Sequence, residues 1–220
     1  MRRHRHREEH APRAEQKQLT RQALLDAALR LVADKSFDSV SLREVTREVG
    51  IVPTAFYRHF ESMDELGLVL VDDTFRTARR LIRAAREGQL PPDKVIRRSA
   101  ETLVHYVQAH RPYFQFLIRE RFGGVAVIRN AIRSEIKLFV SELATDLARA
   151  PQLGKMSTTD VQVLATVLVN AMIAITEQTL ELPSRGEGTE EVIAMAEKQL
   201  RLVLLGASIW RSPKDPFPPT

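Results

Sequence analysis

Hydrogen-bonding side chains are concentrated in residues 53–60, a short segment that begins with a proline and ends with a phenylalanine. Two hydroxyls, a guanidinium and an imidazole are supplied by Thr54, Tyr57, Arg58 and His59. If the segment is helical, Phe56 and Phe60 share one face at i and i+4 and anchor it, which leaves the polar side chains for another face. Such a mixture suits phosphate oxygens and the edges of bases. The segment is therefore predicted to contact nucleic acid.

Two short helices joined by a tight turn are predicted to hold this segment in place. Ser41 is a helix N-cap, and Glu44 three residues later completes a capping box. Gly50 permits the turn because it tolerates a positive φ. Pro53 suits the first turn of the next helix, where its missing N–H leaves nothing unpaired. Residues 41–60 therefore read as a helix-turn-helix.

Residues 41–60 resemble the DNA-binding domain of TetR-family repressors. The family's aromatic-Tyr-x-His-Phe run, which precedes a long fourth helix, stands here as FYRHF over residues 56–60. The resemblance implies operator DNA as a partner. The contact residues it implies are Arg43, Thr54, Ala55, Tyr57, Arg58 and His59. Pro53 departs from the commoner polar residue at its position, which leaves open how many bases are read directly.

A narrower likeness concerns residues 41–73 and the stretch LIRERFG over residues 117–123. Both are similar to the unsaturated-fatty-acid repressors of the DesT/FabR type, which sense long-chain acyl thioesters. The likeness implies a pocket in the second domain for a long-chain acyl-CoA or acyl-carrier-protein thioester. The ligand-binding candidates are Phe75, Phe114, Leu117, Phe139 and Met172, with Arg119 and Arg121 for the polar end. A basic band over residues 76–86 is another candidate for coenzyme A phosphates, or else a solvated face.

The composition and the absence of known motifs exclude several classes of function. The chain has 220 residues, a net charge of +5 and no cysteine, so disulfides, thiolate zinc sites and Cys nucleophiles are excluded. Most of the charge excess lies in residues 1–60, which carry 12 Lys/Arg and 8 Asp/Glu, as phosphate binding requires. No Gly-rich phosphate loop, HExxH or G-x-S-x-G motif is present. We therefore predict no enzyme, with no catalytic residue, no cofactor and no metal site.

Hydrophobic periodicity predicts an all-α chain of about nine helices. The expected parts are a disordered basic arm over 1–14, a helix-turn-helix DNA-binding domain over 15–61, a ligand-binding and dimerisation domain over 62–210 and a Pro-rich tail over 211–220. Residues 161–176 are the most apolar run. Gln162, Thr166 and Asn170 interrupt it every four residues, which favours a buried helix with a polar stripe over a membrane span.

The last two predicted helices, 158–181 and 189–210, carry apolar strips that a monomer would struggle to bury. The strips are Val161, Leu164, Leu168, Met172 and Ile175 on one helix and Ile193, Leu200, Val203, Leu204 and Ala207 on the other. The family resemblance implies a homodimer through 158–210. Its operator would then be palindromic, with half-sites ~34–36 Å apart. The expected protein is a cytoplasmic repressor of desaturation or unsaturated-fatty-acid synthesis genes that responds to acyl-CoA.

Two alternatives stay open. A TetR-type regulator of drug efflux would sense cationic aromatic compounds, and its pocket should hold an acidic side chain against aromatic rings. Glu177 is the nearby candidate in the long apolar helix. The other alternative is an all-α lipid carrier or enzyme that does not bind DNA.

Overall fold

The computed structural model describes residues 13–86, 92–154, 156–183 and 186–212. These residues form nine α-helices and two short 3-10 helices, with no strand among them. The α-helices are α1 (Arg13–Asp34), α2 (Leu42–Val49), α3 (Pro53–Phe56), α4 (Met63–Arg86), α5 (Pro92–Ala109), α6 (Arg111–Glu120), α7 (Ala126–Leu147), α8 (Thr158–Glu181) and α9 (Thr189–Ile209). The 3-10 helices are Phe37–Ser39 and Pro151–Leu153. The all-α prediction is confirmed, whereas nearly all of the predicted arm and tail lies outside the described residues.

Helix α2 begins and ends as its local sequence predicts. The amide of Glu44 donates to Ser41 Oγ at 3.3 Å, and the amide of Ser41 donates to Glu44 Oε2 at 2.9 Å, which completes the capping box. The pKa of the Glu44 carboxyl is lowered to about 2. The largest cause is the hydrogen bond from Lys35 Nζ, and the next largest are the hydrogen bonds from Ser41. Gly50 ends the helix at φ 74°, a left-handed conformation that costs glycine little. Both ends of α2 are thus fixed by neighbouring residues.

Helix α3 is shorter than predicted, because its regular part stops at Phe56 and residues 57–59 form a turn. The turn keeps helical hydrogen bonds: the amides of His59 and Phe60 both donate to the carbonyl of Phe56, at 2.8 and 3.1 Å. Phe56 and Phe60 are both buried, with ring centroids 5.6 Å apart. These two rings anchor the segment and leave its polar residues on the outer side.

Helices α4 to α9 pack around a core that is continuous with the core of α1 to α3. Helix α8 contacts α5, α6, α7 and α9 and so runs through the middle of this arrangement. It is also the one helix, within the described ranges, that is long and apolar enough to cross a membrane. Length and composition alone are weak evidence for that, since core helices satisfy the same criteria.

The apolar strips predicted to need a partner subunit are mostly buried within the chain itself. Val161, Leu164, Leu168 and Ile175 of α8 and Ile193, Leu200 and Ala207 of α9 are less than one-tenth exposed. That part of the prediction is wrong, because α8 and α9 pack against α5, α7 and each other through these faces. The polar stripe of α8 lies on its exposed side, together with Val163 and Val167.

Candidate functional site

The polar residues of the helix-turn-helix face outward. Tyr57 is 63% exposed, and Thr54 and Arg58 are also exposed. Ala55 is half-buried on α3. The α2 helix adds Arg43, which is exposed. These side chains are therefore accessible to a nucleic acid, as a contact role requires.

Arg47 is a further exposed cation that sequence reasoning did not single out. It follows Arg43 by four residues on α2, so both guanidinium groups lie on one face. Thr46, between them, is buried and donates its hydroxyl to the carbonyl of Leu42 at 3.0 Å. The i, i+4 spacing of the two arginines is the signal that could have identified Arg47.

His59 lies where three cations converge. Burial, and then the charges of Lys17, Arg21 and Arg58, lower the pKa of its imidazole. Its Nδ1 is buried without a hydrogen-bond partner. Arg21 Nη1 donates to the carbonyl of His59 at 2.8 Å, and the guanidinium lies 4.2 Å from the ring centroid of Phe60. Such a positive surrounding favours phosphate.

Lys17 and Arg21 were missed by sequence reasoning. They lie on the polar side of α1, about 40 residues before His59, and no local pattern connects the two segments. Arg21 fixes the end of the FYRHF run through the hydrogen bond and the ring contact described above. The first helix thus contributes to the same positive surface.

A large apolar cavity lies among α4, α5, α6, α7 and α8, with about 650 Å³ of empty space, part of it open to solvent. Six of the seven predicted ligand-binding residues line it: Phe75, Phe114, Leu117, Phe139, Met172 and Arg121. On α6 the lining residues are 114, 117, 118 and 121, which is one helical face. An apolar lining with a few polar groups is typical of a small-molecule site.

Among the described residues, Arg121 is the single charged side chain that lines this cavity. Its Nη1 is buried, makes no hydrogen bond and lies 3.7 Å from Glu177 Oε1. The hydroxyls of Thr74 and Thr176 also reach the cavity wall, but each donates to a carbonyl of its own helix. Arg121 therefore has a buried donor atom without a hydrogen-bond partner, beside the Glu177 carboxylate.

Arg119 does not line the cavity. Its guanidinium donates to the carbonyls of Val32, Ala33 and Lys35, the last two at 3.1 Å. These carbonyls lie at or just beyond the C-terminus of α1, where a helix leaves its acceptors unpaired. The predicted ligand contact is thus replaced by a contact that joins α6 to the first helix.

The arginines of the predicted basic band are largely engaged by carboxylates. The pairs are Arg76 with Asp72 and Asp73, Arg79 with Glu135 and Glu142, and Arg83 with Glu142. Because these charges are already neutralised, the pairs favour an ion-paired face over a coenzyme A phosphate site. The side chain of Arg86 lies outside the described residues.

A second face of α6 contacts α1 and the 3-10 helix at Phe37. Tyr113 accepts a hydrogen bond from Gln22 Nε2 at 3.0 Å. The rings of Phe116 and Phe37 meet edge to face at 5.5 Å. Buried Glu120 accepts the amide of Phe37 at 3.0 Å. One helix therefore lines the cavity with one side and contacts α1 and Phe37 with another.

A second exposed surface lies on α8 and α9. The two helices are antiparallel, since Trp210 Nε1 donates to Asp160 Oδ2 at 3.0 Å. Their outer sides carry exposed apolar residues: Val163, Val167, Met195, Leu202, Leu205 and Ile209. Several large apolar side chains exposed on neighbouring helices are typical of a protein interface. We name these six residues the outer α8–α9 face.

Within the described ranges, no group of three or more His, Asp or Glu side chains could hold a metal ion. Comparison with known proteins identifies the class. The family model described as "Bacterial regulatory proteins, tetR family" matches residues 24–68. The family model described as "Tetracyclin repressor-like, C-terminal domain" matches residues 92–206. The chain belongs to the TetR family of bacterial regulatory proteins. Members bind operator DNA, dimerise and bind small-molecule effectors, and they are generally not enzymes.

Solved structures share the fold at low sequence identity. A TetR-like transcriptional regulator from Rhodococcus sp. RHA1 is 20% identical with a TM-score of 0.66, and the alignment covers 90% of this chain and 100% of that one. The fatty acid degradation regulator FadR from Bacillus halodurans is 12% identical with a TM-score of 0.67, covering 85% and 95%. A transcriptional regulator from Pseudomonas aeruginosa PAO1 is 16% identical with a TM-score of 0.67, covering 90% and 94%. These likenesses concern the fold alone.

Proposed function

We propose that the protein is a cytoplasmic transcriptional repressor of genes for desaturation or unsaturated-fatty-acid synthesis, released or retained on its operator by a long-chain acyl-CoA or acyl-carrier-protein thioester. The observation that carries the proposal is the double role of α6. One face of this helix lines the cavity, and the other contacts α1 and residue 37.

DNA contact is assigned to the exposed side of the helix-turn-helix. Arg43, Tyr57, Arg58 and His59 supply donors for phosphates. Thr54 and Ala55 are proposed to read bases, because they match the positions at which the TetR family does so. The three cations around His59 make the surface attractive to a polyanion before any specific contact forms.

An acyl chain is the ligand class that the cavity favours. The lining is aliphatic and aromatic apart from two internally bonded hydroxyls and Arg121. Each methylene moved from water into such a lining contributes ~0.8 kcal/mol, so a chain outweighs a single polar contact. Arg121 Nη1 is available for the carbonyl or anionic end of the ligand.

Ligand binding would act on DNA through α6. A ligand changes an equilibrium only through a difference in its affinity for two arrangements. A chain that displaces Phe114 or Leu117 moves α6, and Arg119 and Glu120 transmit that movement to the end of α1 and to Phe37. Kinked and straight chains fill a close-packed cavity differently, so they should shift operator affinity unequally.

Dimerisation is assigned to the outer α8–α9 face, within residues 158–210. In a two-fold dimer, the exposed leucines, valines and isoleucine of this face would pack against the same residues of the second copy. Two recognition segments would then meet successive major grooves of a palindromic operator.

The efflux alternative has less support from the site. It calls for an acidic side chain facing aromatic rings inside the cavity. Glu177 is not among the lining residues, and its carboxylate lies 3.7 Å from Arg121. A cationic ligand would meet the Arg121 guanidinium instead of a free carboxylate.

The test starts from an operator selected in vitro from random duplex DNA with the full-length protein. Saturated and monounsaturated C16–C18 acyl-CoA are then titrated against the complex, and a cationic aromatic dye serves as the comparison. A change in operator affinity with acyl-CoA, unequal for the two chain types, is expected. If acyl-CoA leaves the affinity unchanged and the dye releases the DNA, the efflux function replaces the acyl function.

A further inference from the structure

A second apolar cavity adjoins the first. It lies among α4, α5, α7, α8 and α9 and holds about 580 Å³ of empty space, part of it open to solvent. Ile82, Leu103 and Met172 line both cavities. The partition between the two cavities is therefore made of three side chains from three different helices. Met172 is only half-buried, and an unbranched thioether side chain repacks easily.

The order of lining residues along each helix shows that the cavities lie end to end. On α8 the first cavity reaches Thr176 and the second reaches Leu168. On α5 the first cavity touches Leu103, and the second continues back to Ile96. Because both helices show a steady progression, the two cavities share one long axis.

Helix α7 gives the length of that axis. Its lining residues run from Ile132 to Phe139 in the first cavity and from Leu143 to Leu147 in the second. At 1.5 Å per residue, Ile132 to Leu147 spans ~22 Å, and Ile132 to Phe139 spans ~10 Å. A fully extended chain advances ~1.2 Å per bond, so the span of the first cavity matches about nine carbons and the span of the pair about 18.

We infer that the second cavity is the tail compartment of the ligand site, joined to the first when Met172 moves aside, and that the ligand is an unbranched chain of about 16–18 carbons. This rests on the proposed function in taking an acyl chain to enter the first cavity. The polar end lies at Arg121, beside α6, and the free end lies between α5, α7 and α9. The acyl chain thus points away from the DNA-facing helices. Its length determines whether its free end reaches the second cavity.

Two matched substitutions separate the compartments. Ala78 lines the first cavity and Ala100 lines the second, and both are buried. Ala78→Leu and Ala100→Leu add the same volume at different depths. Binding of straight-chain acyl-CoA from C8 to C18, and of the matching free carboxylates, is measured by calorimetry on the full-length protein. The series that binds identifies the source of the chain, and the chain-length dependence within it tests the inference.

Wild-type affinity is expected to rise about fourfold per methylene from C8 to C16. Ala100→Leu should leave C8 and C10 unaffected and weaken C16 on the order of 50-fold, the equivalent of about three methylenes. Ala78→Leu should weaken every chain length.

A wild-type affinity that stops rising at about C10 overturns the inference, and so does an Ala100→Leu variant that binds C16 as the wild type does. Both results leave the proposed function standing. The wild-type series needs no variant, so misfolding of either one does not remove the test. If no chain of any length binds, the acyl function itself fails.

Discussion

Replacing Arg119 by alanine is expected to loosen the last turns of α1 without disturbing the cavity. The guanidinium donates to three carbonyls at the end of that helix. A hydrogen bond to a charged group contributes about 1.5–3 kcal/mol, and the exposure of Arg119 points to the lower end. A loss of about 1.5 kcal/mol corresponds to roughly tenfold faster local opening.

Hydrogen exchange followed by mass spectrometry measures that opening directly, because amides at the end of α1 exchange through it. Arg111→Ala is the matched control. Arg111 lies at the other end of α6 and donates to the carbonyls of Thr179 and Leu180, at 3.1 and 2.6 Å, so it caps α8 in the same way. Its removal should speed exchange at the end of α8 and not of α1. Unchanged exchange in α1 of Arg119→Ala would refute the capping role.

Three further outcomes are expected. Ser41→Ala should cost about 1 kcal/mol of unfolding free energy in urea, because the Glu44 amide loses its acceptor, and an unchanged midpoint would contradict the capping argument. Leu205→Glu, on the outer α8–α9 face, should give a monomer in sedimentation. Leu138→Glu, at an exposed position on α7, should leave the dimer intact. If both variants sediment alike, the outer α8–α9 face is not the dimer interface. Burial, and then the charges of the surrounding cations, lower the pKa of His59, whereas a phosphate would raise it, so operator binding should take up a proton and strengthen as the pH falls into the range where the imidazole titrates. Operator affinity of His59→Gln should lack that pH-dependent part, and a wild-type affinity without it would exclude His59 as a phosphate contact.

The features that the sequence predicted best are those that depend on residues close together in the chain. The capping box of Ser41 and Glu44 and the left-handed Gly50 involve residues within one short helix, so residue type and spacing suffice. The length of α3 was not predictable in the same way. The i, i+4 spacing of the buried Phe56 and Phe60 is the same whether residues 57–59 are regular helix or the turn that they form.

Faces of long apolar helices were the hardest to assign. Helix α8 is apolar on several sides, and periodicity alone does not tell which side meets the chain's own core. Leu164 and Leu168 turn inward, whereas Val163 and Val167 turn outward. The distinction depends on where α5, α7 and α9 pack, which is information that residues 158–181 do not contain.

Adjacent charged residues of the LIRERFG stretch have different contacts. Arg119 and Arg121 were assigned together, yet residues at i and i+2 are turned by about 200° around a helix and do not share a face. Arg121 therefore joins the cavity, Arg119 reaches the end of α1, and Glu120 between them holds the amide of Phe37. Three consecutive charged residues thus connect the ligand site to two separate points of the DNA-facing region. In the proposed function, a ligand that moves the Arg121 end of α6 would move both of those points, and this physical connection would let a molecule bound in the cavity change the affinity for DNA.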